Sequence, residues 1–98
     1  MLKNFKTYQK ALELAWECKS LQLPYYLRDQ LLRASSSVVL NLAEGSGRFS
    51  VKDQKRFYRI ALGSVREVEA ILDLQSREIT TLKRLTYEVA AMLTKLSC

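Results

Sequence analysis

Histidine is absent from the sequence. Its absence removes Ser–His and Cys–His nucleophilic pairs and the commonest general base. Cysteine is scarce: Cys18 and Cys98 lie far apart, with no Cys-x-x-Cys spacing. No zinc site or other metal site is expected from them, and they read as reduced thiols of a cytoplasmic protein. Carboxylates and lysines could still catalyse, but no nucleophile–base or ligand spacing points that way, so a non-enzymatic protein without cofactor is expected. Long apolar runs are missing too. The longest uncharged stretch, Ala34 to Ala43, is too short to cross a bilayer. The first residues, Met-Leu-Lys-Asn-Phe-Lys, lack the apolar core of a signal peptide. A cytoplasmic location with no membrane contact is the expectation.

One proline and three glycines leave few breaks in the chain, and Leu, Ala, Lys, Glu, Arg and Gln dominate. That composition favours helices. With 98 residues, 48% hydrophobic and 27% charged, residues 1–98 read as a single globular domain rather than a disordered segment. The formal net charge is +6. A basic domain of this size suits an anionic partner, most often nucleic acid. A merely soluble basic surface would show the same total, so the distribution of charge must decide.

Hydrophobic periodicity divides the chain into four helical segments. The first spans about Leu2 to Leu21, with Phe5, Tyr8, Leu12, Ala15 and Lys19 at helical spacing and Trp16 beside them; Lys3, Lys6 and Lys10 share another face. Leu23-Pro24 should end it or open the next segment. The second spans about Tyr25 to Glu44. Leu27, Leu31, Ala34, Val38 and Asn41 form one stripe and Leu32, Ser35, Val39 and Leu42 another. Two stripes imply burial on two sides, within a bundle or across subunits. The third spans about Val51 to Arg77, with Phe57, Ile60 or Ala61, Ser64, Val68, Ile71 and Gln75 widened by Tyr58, Val65 and Leu72. Gly63 inside it costs roughly 1 kcal/mol relative to Ala, which a closely crossing helix would explain. The fourth starts at a joint near Glu78 to Thr81, with Thr80 or Thr81 as N-cap, and carries Leu82, Leu85, Val89, Met92 and Leu96. Four amphipathic helices with short joints predict an all-α, antiparallel up-down-up-down four-helix bundle.

The stretch Asn41-Leu-Ala-Glu-Gly-Ser-Gly-Arg-Phe-Ser50 is the central joint. Gly45 is expected to end the second helix in the left-handed conformation, and Gly47 to ease the reversal. Ser50 reads as the next N-cap, with Asp53 three residues on. No strand precedes the glycines and no Walker lysine follows, so a phosphate-cradling loop is a poor reading.

Arg48, Lys52, Lys55, Arg56 and Arg59 follow this joint, opposed only by Asp53, and Lys52, Lys55 or Arg56, and Arg59 share a helical face. Farther along, Glu67, Glu69 and Asp73 outnumber Arg66. Cations at a helix N-terminus oppose its dipole by a few tenths of a kcal/mol each. The order is backwards for the helix itself, which favours a polyanion partner contacted mainly at phosphates over a solvated face. Tyr58 could stack on a base, but a core or interface tyrosine is the preferred reading. Asn41, Ser64 and Glu67 lie on or near apolar stripes, with Glu44 at a helix end. Buried polar groups need partners. An interhelical network of Asn41, Glu44 and Glu67, with Arg33 or Arg59 as counter-charge, is expected.

The segments QLLRASSSVVLNLAEGSGR (Gln30 to Arg48) and RFYRIALGSVREVEAIL (Arg56 to Leu72) resemble the 23S rRNA intervening-sequence proteins, whose superfamily includes accessory proteins of diversity-generating retroelements. Gln30, Arg33, Ala34, Ser37, Asn41, Ala43, Glu44, Gly45, Gly47 and Arg48 match the first half of the pattern. Phe57, Ile60, Ala61, Gly63, Ser64, Glu67 and Glu69 match the second. The resemblance implies a four-helix bundle assembled as a homopentameric barrel and no enzymatic activity. It also implies association with RNA or DNA, alongside a reverse transcriptase in the accessory branch. Five copies would carry about +30 by charge addition. The alternative is a protein-binding scaffold that meets an acidic partner.

Overall fold

The computed structural model describes residue 2, residues 5–75 and residues 79–98. It contains four helices: α1 (Lys6–Lys19), α2 (Tyr25–Ser46), α3 (Val51–Asp73) and α4 (Thr80–Ser97). Among the described residues there is no strand. Helix α1 packs on α2 and α4, and α3 also packs on α2 and α4, so α1 and α3 sit diagonally. The molecule measures 42 × 21 × 21 Å. Its width is two helix diameters of about 10–12 Å each, so every helix borders the single core.

That core is one apolar cluster supplied by all four helices. Its fully buried large side chains include Leu14, Leu31, Leu42, Leu72 and Leu93, with Val38, Val65, Val68 and Val89 between them. Truncating any of these leucines to Ala would cost about 2–5 kcal/mol. The predicted stripes of α2, α3 and α4 are close to the observed ones. In α3 the buried set is Tyr58, Ala61, Val65, Val68, Ile71 and Leu72, while Phe57 is half-buried and Ile60 exposed. In α4, Thr86, Ala90, Leu93 and Ser97 are buried in addition to Leu82, Leu85 and Val89. The buried hydroxyls of Thr86 and Ser97 donate to Leu82 and Leu93 carbonyls, each at 2.7 Å. They are therefore satisfied within their own helix.

Helix α1 is rotated from its expected orientation. Its buried residues are Thr7, Ala11, Leu14, Ala15 and Cys18, and Trp16 is 59% exposed. Small residues fill the helix–helix contact, and the larger Phe5, Tyr8 and Leu12 lie half-buried at the rim. Ring size in the sequence therefore pointed to the wrong face. The helix is also shorter than expected, running from Lys6 to Lys19, and its N-cap, Phe5, makes no side-chain cap bond.

The central joint differs from expectation in a way that matters for packing. Helix α2 continues through Gly45 to Ser46, and the chain has no glycine with positive φ among the described residues. Gly47 is the C-cap, at φ −91° and ψ −2°. Gly45 is needed for space instead. A Cβ added there would stand 2.7 Å from Cε1 and 3.0 Å from Cδ1 of Tyr58, and 3.1 Å from Cβ of Phe57. Gly63 shows the reverse: nothing lies within 4 Å of an added Cβ, so no helix crosses closely there. The N-cap of α3 is as predicted, with Ser50 Oγ accepting from Asp53 N–H at 3.1 Å. Neither Thr80 nor Thr81 caps α4; Ile79 precedes it without a side-chain cap bond. Residues 76–78, including Arg77 at the expected end of the third helix and Glu78 of the expected joint, lie outside the described residues.

The expected polar network is smaller and differently wired. Asn41 Nδ2 donates to Ser37 O at 2.9 Å and to Ser37 Oγ at 3.0 Å. Ser37 Oγ and Ser64 Oγ are 2.8 Å apart across the α2–α3 seam. Glu44 pairs with Arg48 one turn on. Arg59 donates to Ser97 O at 3.0 Å, while Glu67 and Arg33 are exposed. The Ser37 carbonyl and hydroxyl satisfy the Asn41 amide N–H groups, so no carboxylate or counter-charge is required in the seam.

Burial pushes the Cys18 thiol up from 9.0 to about 11, with a Ser35 hydrogen bond offsetting part of the shift. Burial also raises Tyr58. Because its folded pKa is raised, the thiol adds stability that is fully present below pH 9. That stability is lost as pH rises toward 11, where the unfolded chain releases its proton first. The loss is on the order of 2–3 kcal/mol. Denaturation followed from neutral to strongly alkaline pH should show this decline, and Cys18→Ala should flatten it. At the joint, Gly45→Ala should destabilise by about 1–3 kcal/mol through overpacking. Gly63→Ala should be neutral or stabilise by up to about 1 kcal/mol. Urea titration of both variants checks the pair.

Candidate nucleic-acid interface

The first turns of α3 carry the basic residues because Ser50 fixes where the helix begins. The preceding loop is held as well: Gln54 Nε2 donates to the Arg48 carbonyl at 3.0 Å. From that start, helical spacing aligns Lys52, Lys55 or Arg56, and Arg59. Lys52, Arg56 and Arg59 are exposed and Lys55 is half-buried. None of these four takes part in an ion pair among the described residues. Asp53, the one acid in the first turn of α3, stands beside Lys52 in sequence.

Phe57 organises two of the cations. The guanidinium carbon of Arg48 lies 4.6 Å from its ring centroid, and that of Arg56 lies 4.5 Å away. Stacking on an aromatic face restrains a guanidinium without using up its N–H donors, at about 0.5–1 kcal/mol for an exposed site. Arg56 thus has its donors available. Arg48 is more committed: it pairs with Glu44, and its Nε is buried with no hydrogen-bond partner among the described residues. Arg48 belongs to the joint as much as to the basic face. Arg59 spends one N–H group on the Ser97 carbonyl and keeps the others.

The second predicted group does not join the first. Lys6 and Lys10 lie on α1, diagonal to α3 in the bundle. Lys10 sits 3.6 Å from Glu13 and 3.7 Å from Glu88, so neighbouring carboxylates offset its charge. Lys6 is exposed beside a depression that also includes Met92. Lys3 lies outside the described residues.

Of the predicted polar residues, Asn41 and Ser64 meet through Ser37, and Glu44 meets Arg48. Glu67 and Arg33 join neither set. Tyr58 is buried against Phe5, with ring centroids 6.2 Å apart. It serves the core rather than a stacking surface. Phe57 is the functional candidate that pattern reading missed. It read as a core position, and only the proximity of Arg48 and Arg56 shows its second role.

Among the described residues no group of His, Cys, Asp and Glu side chains is placed to hold a metal ion, and no helix is long and apolar enough to cross a membrane. The buried Cys18 thiol is held protonated by burial, which makes it a poor attacking group. What the α3 surface offers is a set of cations with free donors, held on a capped helix and partly ordered by one aromatic ring. Such a surface can take phosphates without reading bases.

No curated protein matches the chain. A family model described as 23S rRNA-intervening sequence protein matches residues 3–95, nearly the whole chain, and the protein belongs to that family.

Proposed function

We propose that this protein is a non-enzymatic, oligomeric nucleic-acid-binding protein of the cytoplasm, and that the N-terminal half of α3 contacts RNA or DNA phosphates. The reading extends to an up-down-up-down antiparallel bundle assembled as a homopentameric barrel. It also extends to a reverse transcriptase partner, as in the retroelement accessory proteins that the sequence resembles. One observation carries the binding reading. Lys52, Lys55, Arg56 and Arg59 crowd the N-terminal half of a helix with no carboxylate partner among the described residues. Mutual repulsion and the helix dipole both disfavour that arrangement in the isolated chain, and a polyanion removes both costs.

Salt dependence supplies the test. Fluorescence anisotropy should show binding of a structured RNA and of a mixed-sequence DNA duplex, weakening steeply as salt rises. For the duplex, the slope of log affinity against log salt falls by about 0.9 for each phosphate contact removed. Lys52→Glu, Lys55→Glu and Arg56→Glu together should therefore lower the slope by roughly 3 and reduce low-salt affinity at least tenfold, with helical content unchanged. Absent or salt-insensitive binding would overturn the reading. In that case an acidic protein captured after nuclease treatment would favour a protein-binding scaffold.

A further inference from the structure

The turn between α1 and α2 carries two rings that neither the core nor the α3 surface uses. Tyr25 is 84% exposed and Tyr26 59%. Their centroids lie 6.1 Å apart at 89°, so one ring stands edge-on to the other. The chain around them is anchored. Leu21 and Leu23 pack on the core, and the Pro24 carbonyl accepts from the N–H groups of Leu27 and Arg28 at 3.1 and 2.9 Å. A fixed turn therefore presents both rings to the outside.

Cations flank them. Lys19 and Arg28 border one hollow of about 180 Å³, together with Ser20 and Gln22. Arg28 lies three residues after Tyr25, on the same side of α2. From Cys18 to Arg28 the sequence holds both cations and no carboxylate. Glu17 and Asp29 bound this stretch, but neither pairs with Lys19 or Arg28 among the described residues. Lys19 suits the C-terminus of α1. Arg28, in the first turn of α2, opposes that helix's dipole, and no acid in that turn offsets it.

We infer that this turn binds an unpaired nucleotide of a single-stranded nucleic acid, with its base stacked on Tyr25 and its phosphates held by Lys19 and Arg28. The inference deepens the nucleic-acid reading above and rests on its class of partner, but it uses none of the α3 residues.

The chemistry selects this ligand. Two cations alone would suit any anion. An aromatic face carries the negative part of the ring quadrupole, so it repels a carboxylate and accepts the flat face of a base. An acidic protein thus gains from Lys19 and Arg28 but not from the tyrosines. A duplex presents phosphates but keeps its bases stacked inside, so it too leaves the rings unused. An unpaired nucleotide uses both kinds of group, and stacking tolerates any base because each has a π-face. Position adds a consequence. The 22 residues of α2 separate this turn from the joint before α3 by about 33 Å, at 1.5 Å per residue. An RNA with a helical arm and an unpaired loop then engages both ends of the molecule at once.

Fluorescence anisotropy with a labelled oligouridylate and a mixed-sequence DNA duplex tests the assignment on the full chain. The variants are Tyr25→Ala, Tyr25→Phe, and Lys19→Glu combined with Arg28→Glu, each checked for helix by circular dichroism. Tyr25→Ala should weaken oligouridylate binding at least about fivefold, the loss of one stacked base, with the salt slope unchanged. Tyr25→Phe should retain the affinity. The double charge reversal should lower the slope by about 1.4, at about 0.7 per single-strand phosphate. Duplex affinity should stay the same in Tyr25→Ala. Charge reversal at Lys52, Lys55 and Arg56 should weaken duplex binding yet leave the effect of Tyr25→Ala on oligouridylate in place. Duplex binding that survives that reversal would overturn the α3 reading alone. Oligouridylate binding that is indifferent to Tyr25→Ala, or absent altogether, would overturn this site. Equal Tyr25-dependent binding of polyglutamate or of phosphatidylglycerol vesicles would also overturn it, in favour of an acidic protein or a membrane surface. If Tyr25→Ala lost its helix, the double charge reversal would decide: an unchanged single-strand slope would overturn the site.

Discussion

The bundle depends on the closeness of α2 and α3 at Gly45. No side chain fits between that backbone and the Tyr58 ring, and Cβ of Phe57 presses on the same spot. Backbone and rings are in direct contact there, as close-packed interiors require. Tyr58 then reaches Phe5 on the other side, so one small residue lets three helical segments share a core layer. Farther along the seam, Ser37 and Ser64 bond directly, and Asn41 closes on Ser37. Small and hydroxylated residues thus line this helix pair, where bulkier ones would push the axes apart.

The same constraint sets the basic surface. Phe57 is adjacent to Tyr58, so fixing Tyr58 against Gly45 also fixes the ring on which Arg48 and Arg56 lie. Arg48 reaches it from the joint and Arg56 from within α3. Ser50 and Gln54 hold the intervening turn through Asp53 N–H and the Arg48 carbonyl. Packing in the core therefore orders cations at the surface, and the coupling runs through two neighbouring aromatic residues.

Electrostatics separates residues that look alike in sequence. Lys10 has Glu13 on its own helix and Glu88 on α4 within ion-pair distance, whereas Lys52, Lys55 and Arg56 have no such partner among the described residues. Exposed pairs of the first kind are worth at most about 1 kcal/mol, but they offset local charge.

Helical periodicity is local, and for that reason it was readable. The starts of α2 at Tyr25 and α3 at Val51, the Ser50 cap, and most buried positions of α2, α3 and α4 follow from spacing and composition alone. So does the shared face of Lys52, Arg56 and Arg59. Other features needed neighbours distant in sequence. Which face of α1 turns inward depended on the room beside α2 and α4, and Ala11 and Cys18 fit where Trp16 does not. Whether Gly45 ended a helix or made space depended on Tyr58, thirteen residues away. The freedom of a cation depended on whether another helix brought it a carboxylate, as α4 does for Lys10. The sequence by itself determined four amphipathic helices and a cluster of positive charge. Only the tertiary structure decided which small residue sets the helix spacing and which cations stay unpaired, because both are contacts between segments that the chain order does not place together.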